Sequence, residues 1–310
     1  MRAGGRPLLD VMEWRQGDFN MTADRARFVP REHAEARGYR CDPDGVWSSA
    51  GRRALVALRQ GAMIYDLDGN AGAHDGGVGR RTRWRRPSHR DELRPLYLVD
   101  AEDWLAGAAE RGPARIALRA LSNATNERTA IACLLPDVPC GNSLGVLRCR
   151  EPSARPVREL AAYAAALSSL PFDWSLRMRL GGTNLNRFVL ADCTLPTLDE
   201  RAVDELARLA LQLCATPSWS AALWEAAERE GWCSNSRPAE DPARRRALQT
   251  RVDLLVGEAY GLQPDDVAWI TRGESFAKGF WRVERELPTD ERRPARWSAA
   301  ASQATRADQR

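Results

Sequence analysis

The sequence predicts an α+β protein, with a mixed-sheet module over about residues 1–196 and a helical part over about 197–285. Three observations carry this. Two apolar runs of strand length, Ala114–Leu121 and Thr129–Leu135, stand close together and the second is closed by Pro136. The first 50 or so residues are polar and turn-rich, with short aromatic-bearing runs. From Pro152 the apolar spacing changes to a helical period.

The elements follow in order. Met12-Glu-Trp-Arg15 and Arg27-Phe-Val29 read as short extended runs, and Arg31–Gly38 as a helix stopped by glycine. Asp44-Gly45 predicts a hairpin turn within Cys41–Trp47. Leu55–Leu67 reads as a short run, a glycine break and a second strand, and Gly69–Gly79 as a flexible glycine-rich stretch. Pro95–Val99 is extended, and Asp100-Ala-Glu-Asp opens a helix whose acidic first turn suits the helix dipole. The polar loop Ser122–Arg128 lies between the two buried strands. Helices are expected over Val157–Leu170 and Phe172–Leu180, stopped at Gly181-Gly182, and a strand-like run over Thr183–Leu190. Longer helices follow at about 198–214, 218–230 and 243–260, the last capped by Gly261. The remainder, 286–310, has little that could form a core and is expected to be frayed or disordered from about Asp290 onward.

Composition excludes several classes. With 44% hydrophobic and 28% charged residues the chain is neither wholly disordered nor fibrous. No run approaches the roughly 18 apolar residues of a spanning helix, and the opening Met1-Arg-Ala-Gly-Gly-Arg-Pro7 lacks the apolar stretch of a secretion signal, so a cytoplasmic protein is expected. The seven cysteines form no Cys-x-x-Cys pair and no histidine stands near Cys133, Cys140 and Cys149, so no metal is expected.

Catalytic signatures are missing as well. There is no phosphate-binding Gly-x-x-x-x-Gly-Lys loop. Gly141-Asn-Ser-Leu-Gly145 matches a hydrolase elbow in letters, but His33, His74 and His89 all precede it, the wrong order for that triad. The turn that holds a flipped base in amino-methyltransferases is absent too. Catalytic residues: none. Binding is the expected activity.

The basic residues are nearly all arginine, Lys278 being the only lysine among 46. Arg80–Arg94 holds seven arginines and Trp84 in fifteen positions. Guanidinium groups bind phosphates and guanine edges bidentately, so Arg80, Arg81, Arg83, Arg85 and Arg86, with Trp84 for stacking, are candidate DNA contacts. A solvated loop is the alternative reading of that composition.

Three segments together resemble the C-terminal target-recognition region of type IIG and phage-defence adenine-specific DNA restriction-modification methylases. These are Gln60-Gly-Ala-Met-Ile-Tyr-Asp-Leu-Asp68, the run Arg115–Pro136 with Cys140-Gly-Asn-Ser143 after it, and Leu180–Leu190 ending in Leu195-Pro196. The order and spacing fit over roughly residues 12–285. The chain departs from the family at Gly69-Asn70, where the family has His-Arg, and these residues carry no methyltransferase domain.

The resemblance implies a specificity module that reads double-stranded DNA, while a separate methyltransferase or defence-system subunit supplies S-adenosylmethionine; no cofactor is expected in this chain. It places Asn123, Thr125, Asn126 and Arg128 on a loop that reads bases or phosphates. Gly181, Gly182, Thr183 and Asn184 would offer bare backbone to a phosphate. The competing readings are an Asx turn at Asn123 and Thr125 with Glu127 pairing Arg128, and a helix stop whose glycines take positive φ. At the level of function, the alternatives are a protein-interaction subunit that docks on a methylase or nuclease through its helical part, or a decayed methylase fragment.

Overall fold

The computed structural model describes residues 5–273 and 278–308. The α+β class holds. The central sheet has four antiparallel strands, β1 (Met12–Arg15), β2 (Ala114–Arg119), β3 (Ala132–Pro136) and β4 (Leu144–Cys149), in the order β3-β2-β4-β1. Ile116 in β2 pairs with Leu134 of β3 and Leu147 of β4, which sets the register of the core. Both β2 and β3 are buried along nearly their whole length, as their apolar letters require.

The two arginines of β2, Arg115 buried and Arg119 half-buried, are held by acceptors, although Arg115 Nε has none. Arg115 donates to Asp18 at 2.6 Å and also to Asp137, while Arg119 donates to the carbonyls of Gly61 and Ile64 at 2.9 and 2.5 Å. The serine of Gly141–Gly145 belongs to this framework too. Ser143 Oγ accepts from the Gly61 amide at 2.9 Å, and Gly145 leaves room for the Trp14 indole, whose Nε1 would lie 2.4 Å from an added Cβ.

A smaller antiparallel sheet runs Val29–Pro30, Tyr97–Asp100, Leu55–Ala57, Val46–Ser48, Arg40–Cys41, and contains the expected hairpin with Gly45 at φ +79. Every sheet ladder among the described residues is antiparallel; parallel pairing is confined there to the single bridges Phe19–Gly141 and Arg59–Cys140, the second joining the chain just after Leu55–Ala57 to the link between β3 and β4.

The longer helices are α1 (Pro156–Leu167), α2 (Leu170–Arg179), α3 (Glu200–Cys214), α4 (Ala221–Arg229), α5 (Pro242–Ala259), α6 (Pro264–Ile270) and α7 (Arg293–Asp308), of which α1, α3 and α4 lie on the sheet. The alanine-rich face of α1 brings it close to both β3 and α3. Its N-terminal amides, on Val157 and Arg158, are capped from another part of the chain by the Glu230 carboxylate at 2.9 and 3.0 Å. One cluster of buried side chains extends from Leu8 to Tyr260, so the change at Pro196 from mixed to helical content is not a gap in packing. No helix among the described residues is long and apolar enough to cross a membrane.

Four expectations are corrected. Residues 62–67 are not a strand: a single 3-10 turn, Gly61–Met63, leads into a turn from Tyr65 to Asp68 with Leu67 at φ 55, and the Leu67 amide reaches the Ala132 carbonyl at the sheet edge. Gly69–Gly79 is not a loose linker at its start, because a Cβ on Gly72 would sit 2.0 Å from the Ala62 carbonyl oxygen and one on Gly69 2.8 Å from Leu135. Thr183–Leu190 is not strand-like: Arg187–Ala191 is a short helix, capped by Asn186 Oδ1 accepting from the Val189 amide at 3.1 Å.

The fourth correction is the tail. Beyond Asp290 the chain forms α7, with Trp297 fully buried among Leu170, Val267, Ile270, Phe280 and Val283 and with Arg293 buried in an ion pair. Alanine and serine look coreless in sequence, but their small side chains let α7 lie close on α5 and α6 around that single indole.

Candidate nucleic-acid interface

The three segments that carry the family resemblance meet in space. Arg119 holds the 60–68 segment through two carbonyls, and Ser143 takes the Gly61 amide. The 180–190 segment is laced to the end of β2, where the Ser122 amide donates to the Thr183 carbonyl at 3.0 Å and the Leu185 amide to the Ala120 carbonyl at 2.7 Å. The loop 122–128 and Gly181–Asn184 therefore share one edge of the molecule, beside the exposed side chains of Leu121 and Phe188.

Within the loop the candidates separate. Asn123 Oδ1 accepts from both the amide and the hydroxyl of Thr125, each at 2.9 Å, so these two side chains form the Asx turn and satisfy each other. The exposed Asn126 side chain is left to face solvent.

Arg128 is not a surface contact. It is 2% exposed, and donates to Asp173 and Asp66 at 3.0 Å and to the Ser168 carbonyl at 2.6 Å. The partner is not Glu127 but these two carboxylates, which hold the foot of the loop in the core. The network continues through Arg177, paired with Asp173, and Arg293, paired with Asp66 and Asp253. Burial would raise the Asp173 carboxyl, but the guanidiniums of Arg177 and Arg128 overcome it and keep the group below its ordinary value. At Asp253 burial wins, and its pKa is raised despite Arg293.

Nothing local in the sequence marks Asp66, Asp253 or Arg293 as members of this cluster, because the partners are 40 to 227 positions apart. The i,i+4 spacing of Asp173 and Arg177 was the one visible pair.

Gly181 and Gly182 are both exposed, neither takes a positive φ, and a Cβ on either would meet nothing. The helix-stop reading thus fails in its backbone requirement. The fold gives no reason of its own for glycine at either position, and what the two residues leave open is access to the backbone from outside. Thr183 and Asn184 are exposed beside them.

The arginine-rich segment is more ordered than its composition implies. Ala73–His74 and Trp84–Arg85 form a two-stranded ribbon in which half-buried Trp84 packs edge-on against His74, at 5.6 Å between ring centres. His74 is 2% exposed, not on the surface as its polar surroundings suggest. Arg85 is spent on structure, donating to both oxygens of Glu92 and lying 3.7 Å from Asp75. Arg80, Arg81, Arg83 and Arg86 are exposed, and no carboxylate among the described residues pairs with them; Arg83 donates to the Asp75 carbonyl at 3.2 Å.

The Arg85 hydrogen bonds, with the Ser88 amide, push the Glu92 carboxyl down to about 2 from an ordinary 4.5. A carboxyl depressed on folding stabilises fully above its unfolded pKa and loses that stabilisation as pH falls through the folded one. We expect Glu92→Gln to remove about 1 kcal/mol of stability at neutral pH, after allowing for solvent screening. Urea titrations should show the two proteins converging as pH falls from 4.5 towards 2. A constant difference across that window would refute the assignment.

A cleft of about 830 Å³ opens between this segment, the Tyr65–Ala71 turn and the first half of α5, lined by Arg86, Arg90, Arg119, Arg245 and Arg246. Neither family models, nor curated proteins, nor solved structures give a match to this chain.

Proposed function

We propose that this chain is the sequence-specific DNA-recognition portion of a restriction-modification or phage-defence adenine methyltransferase system. The methyltransferase domain and its S-adenosylmethionine belong to a partner. The observation that carries this reading is the single edge formed by Asn126, the open backbone of Gly181-Gly182, Thr183 and Asn184, which together offer donors and acceptors to a duplex. The exposed guanidiniums of Arg80, Arg81, Arg83 and Arg86 supply the phosphate contacts.

Fluorescence anisotropy on duplex DNA across a salt series tests it. Four phosphate contacts give a slope of log affinity on log salt of about −3 to −4. Replacing the four arginines by alanine should weaken binding about 100-fold at low salt and flatten the slope. Selection from a random duplex pool should enrich one motif. A folded chain that binds no DNA at low salt would sink the proposal.

That outcome would favour the second reading, a subunit that docks on a methylase or nuclease. Its supporting observation is the exposed apolar side chain of Phe188, at 81% exposure, with Trp269 at 59% exposure beneath the Arg272 guanidinium.

A further inference from the structure

Phe188 is the most exposed large apolar side chain among the described residues, at 81%, and Leu121 stands open on the same edge. The backbone under Phe188 is held on both sides. Before it, the amide of buried Leu185 donates to the Ala120 carbonyl at 2.7 Å. After it, Leu190 and Cys193 are fully buried, the Leu8 amide reaches the Cys193 carbonyl at 2.8 Å, and Arg179 Nε donates to the Asp192 carbonyl at 2.7 Å. Leu121, two residues past β2, is tied to Asn184 by a bridge. Two apolar side chains from separate segments are thus presented to solvent on a rigid base, and the folded chain forgoes the stabilisation that burial would give each.

The surroundings select the partner. Asn126, Thr183, Asn184 and Arg187 are exposed on this edge, and Gly181-Gly182 leaves its backbone open. Of the charged residues in 121–128 and 181–192, Arg128 is buried in its ion pairs, Glu127 is half-buried and accepts from the Glu284 amide at 3.2 Å, and Arg187 and Asp192 are exposed with opposite signs. An edge so balanced is not itself a phosphate site. It sets hydrogen-bonding groups around an apolar point, which suits bases better than backbone. The positive charge lies across the adjoining cleft, whose walls include Glu127 of this loop and Arg86 of the arginine-rich segment, within the reach of one duplex. Two apolar side chains among polar groups fall well short of the roughly 1,000 Å² that a stable protein interface buries.

We propose that Phe188, with Leu121 on the same edge, is an apolar wedge that enters between two base pairs of the bound duplex, unstacking and kinking it. The proposal rests on the DNA reading and adds to it the residue that deforms the target. Pyrimidine–purine steps open at least cost, so the wedge selects such a step without a hydrogen bond to its bases.

Energy transfer between dyes at the two ends of the duplex enriched by selection, bound to the full chain, measures the bend, and anisotropy measures affinity. The wild-type complex should be kinked by about 20–90°. Phe188→Ala should straighten the duplex and weaken binding about ten-fold, at an unchanged slope on salt because no phosphate contact is lost. Its unfolding midpoint should not move, since the side chain it removes lies in solvent. Phe188→Leu, which keeps an apolar wedge, should restore most of the bend. Replacing the pyrimidine–purine step of the motif by an A-tract, which is stiff, should weaken the wild type and leave Phe188→Ala little changed.

A straight duplex in the wild-type complex, or a Phe188→Ala variant that binds and bends DNA as wild type does, overturns the wedge while the DNA reading stands. A folded wild type that binds no duplex at low salt removes both, and leaves Phe188 to a protein partner.

Discussion

Asp173→Ala should cost about 3–5 kcal/mol of stability, the range measured when one partner of a buried ion pair is removed. The side chain is fully buried and accepts from Arg128, Arg177 and the amides of Thr129 and Ala130. Without it, two guanidiniums and two amides remain in a core that offers them no water. The loss reads as a lower urea midpoint at unchanged slope.

Asp173→Asn keeps acceptor capacity but not the charge, and is expected to fall between the two. Because the Asp173 carboxyl titrates below its ordinary 3.8, its contribution is present above that pH and fades as pH falls through the folded value. The gap between wild type and Asp173→Ala should therefore narrow in strong acid. A cost under about 1 kcal/mol at neutral pH would mean that the network is not formed.

Trp297→Ala should cost about as much, 3–5 kcal/mol by analogy with other large-to-small core changes. The indole is fully buried and lies against Gly257 of α5, whose would-be Cβ is 3.4 Å from the ring. It is the largest side chain in the second core cluster, so a cavity opens beneath α7 when it is removed. Thermal unfolding of the purified variant gives the answer. A variant as stable as wild type would show that α7 does not pack in solution and would restore the expectation of a frayed tail. Arg293→Met separates the two roles of α7, since it keeps the bulk but leaves Asp253 without its guanidinium.

Elements whose signal is local were legible in the sequence. Asp44-Gly45 is a turn in any context, because glycine takes the positive φ at no steric cost. The apolar letters of Ala114–Arg119 and Ala132–Pro136 leave burial as their only stable environment, and the stripe Val252, Leu255 and Val256 fixes the inner face of α5. Of the candidate site, the Asx turn at Asn123 follows from residue type and spacing.

The tertiary structure alone decided the rest. An arginine looks the same in sequence whether it faces solvent or a distant carboxylate: Arg85 meets Glu92 only because a ribbon folds back, and Arg128 meets Asp66 across 62 positions. The same holds for α7, where small residues and one tryptophan make a core only once α5 and α6 are beside them. The cleft, too, exists only where Asn70 and Arg246, far apart in the chain, are brought to face one space. Hydropathy and periodicity report what a residue does to its neighbours along the chain, whereas the energy of a buried charge depends on a partner that only folding supplies.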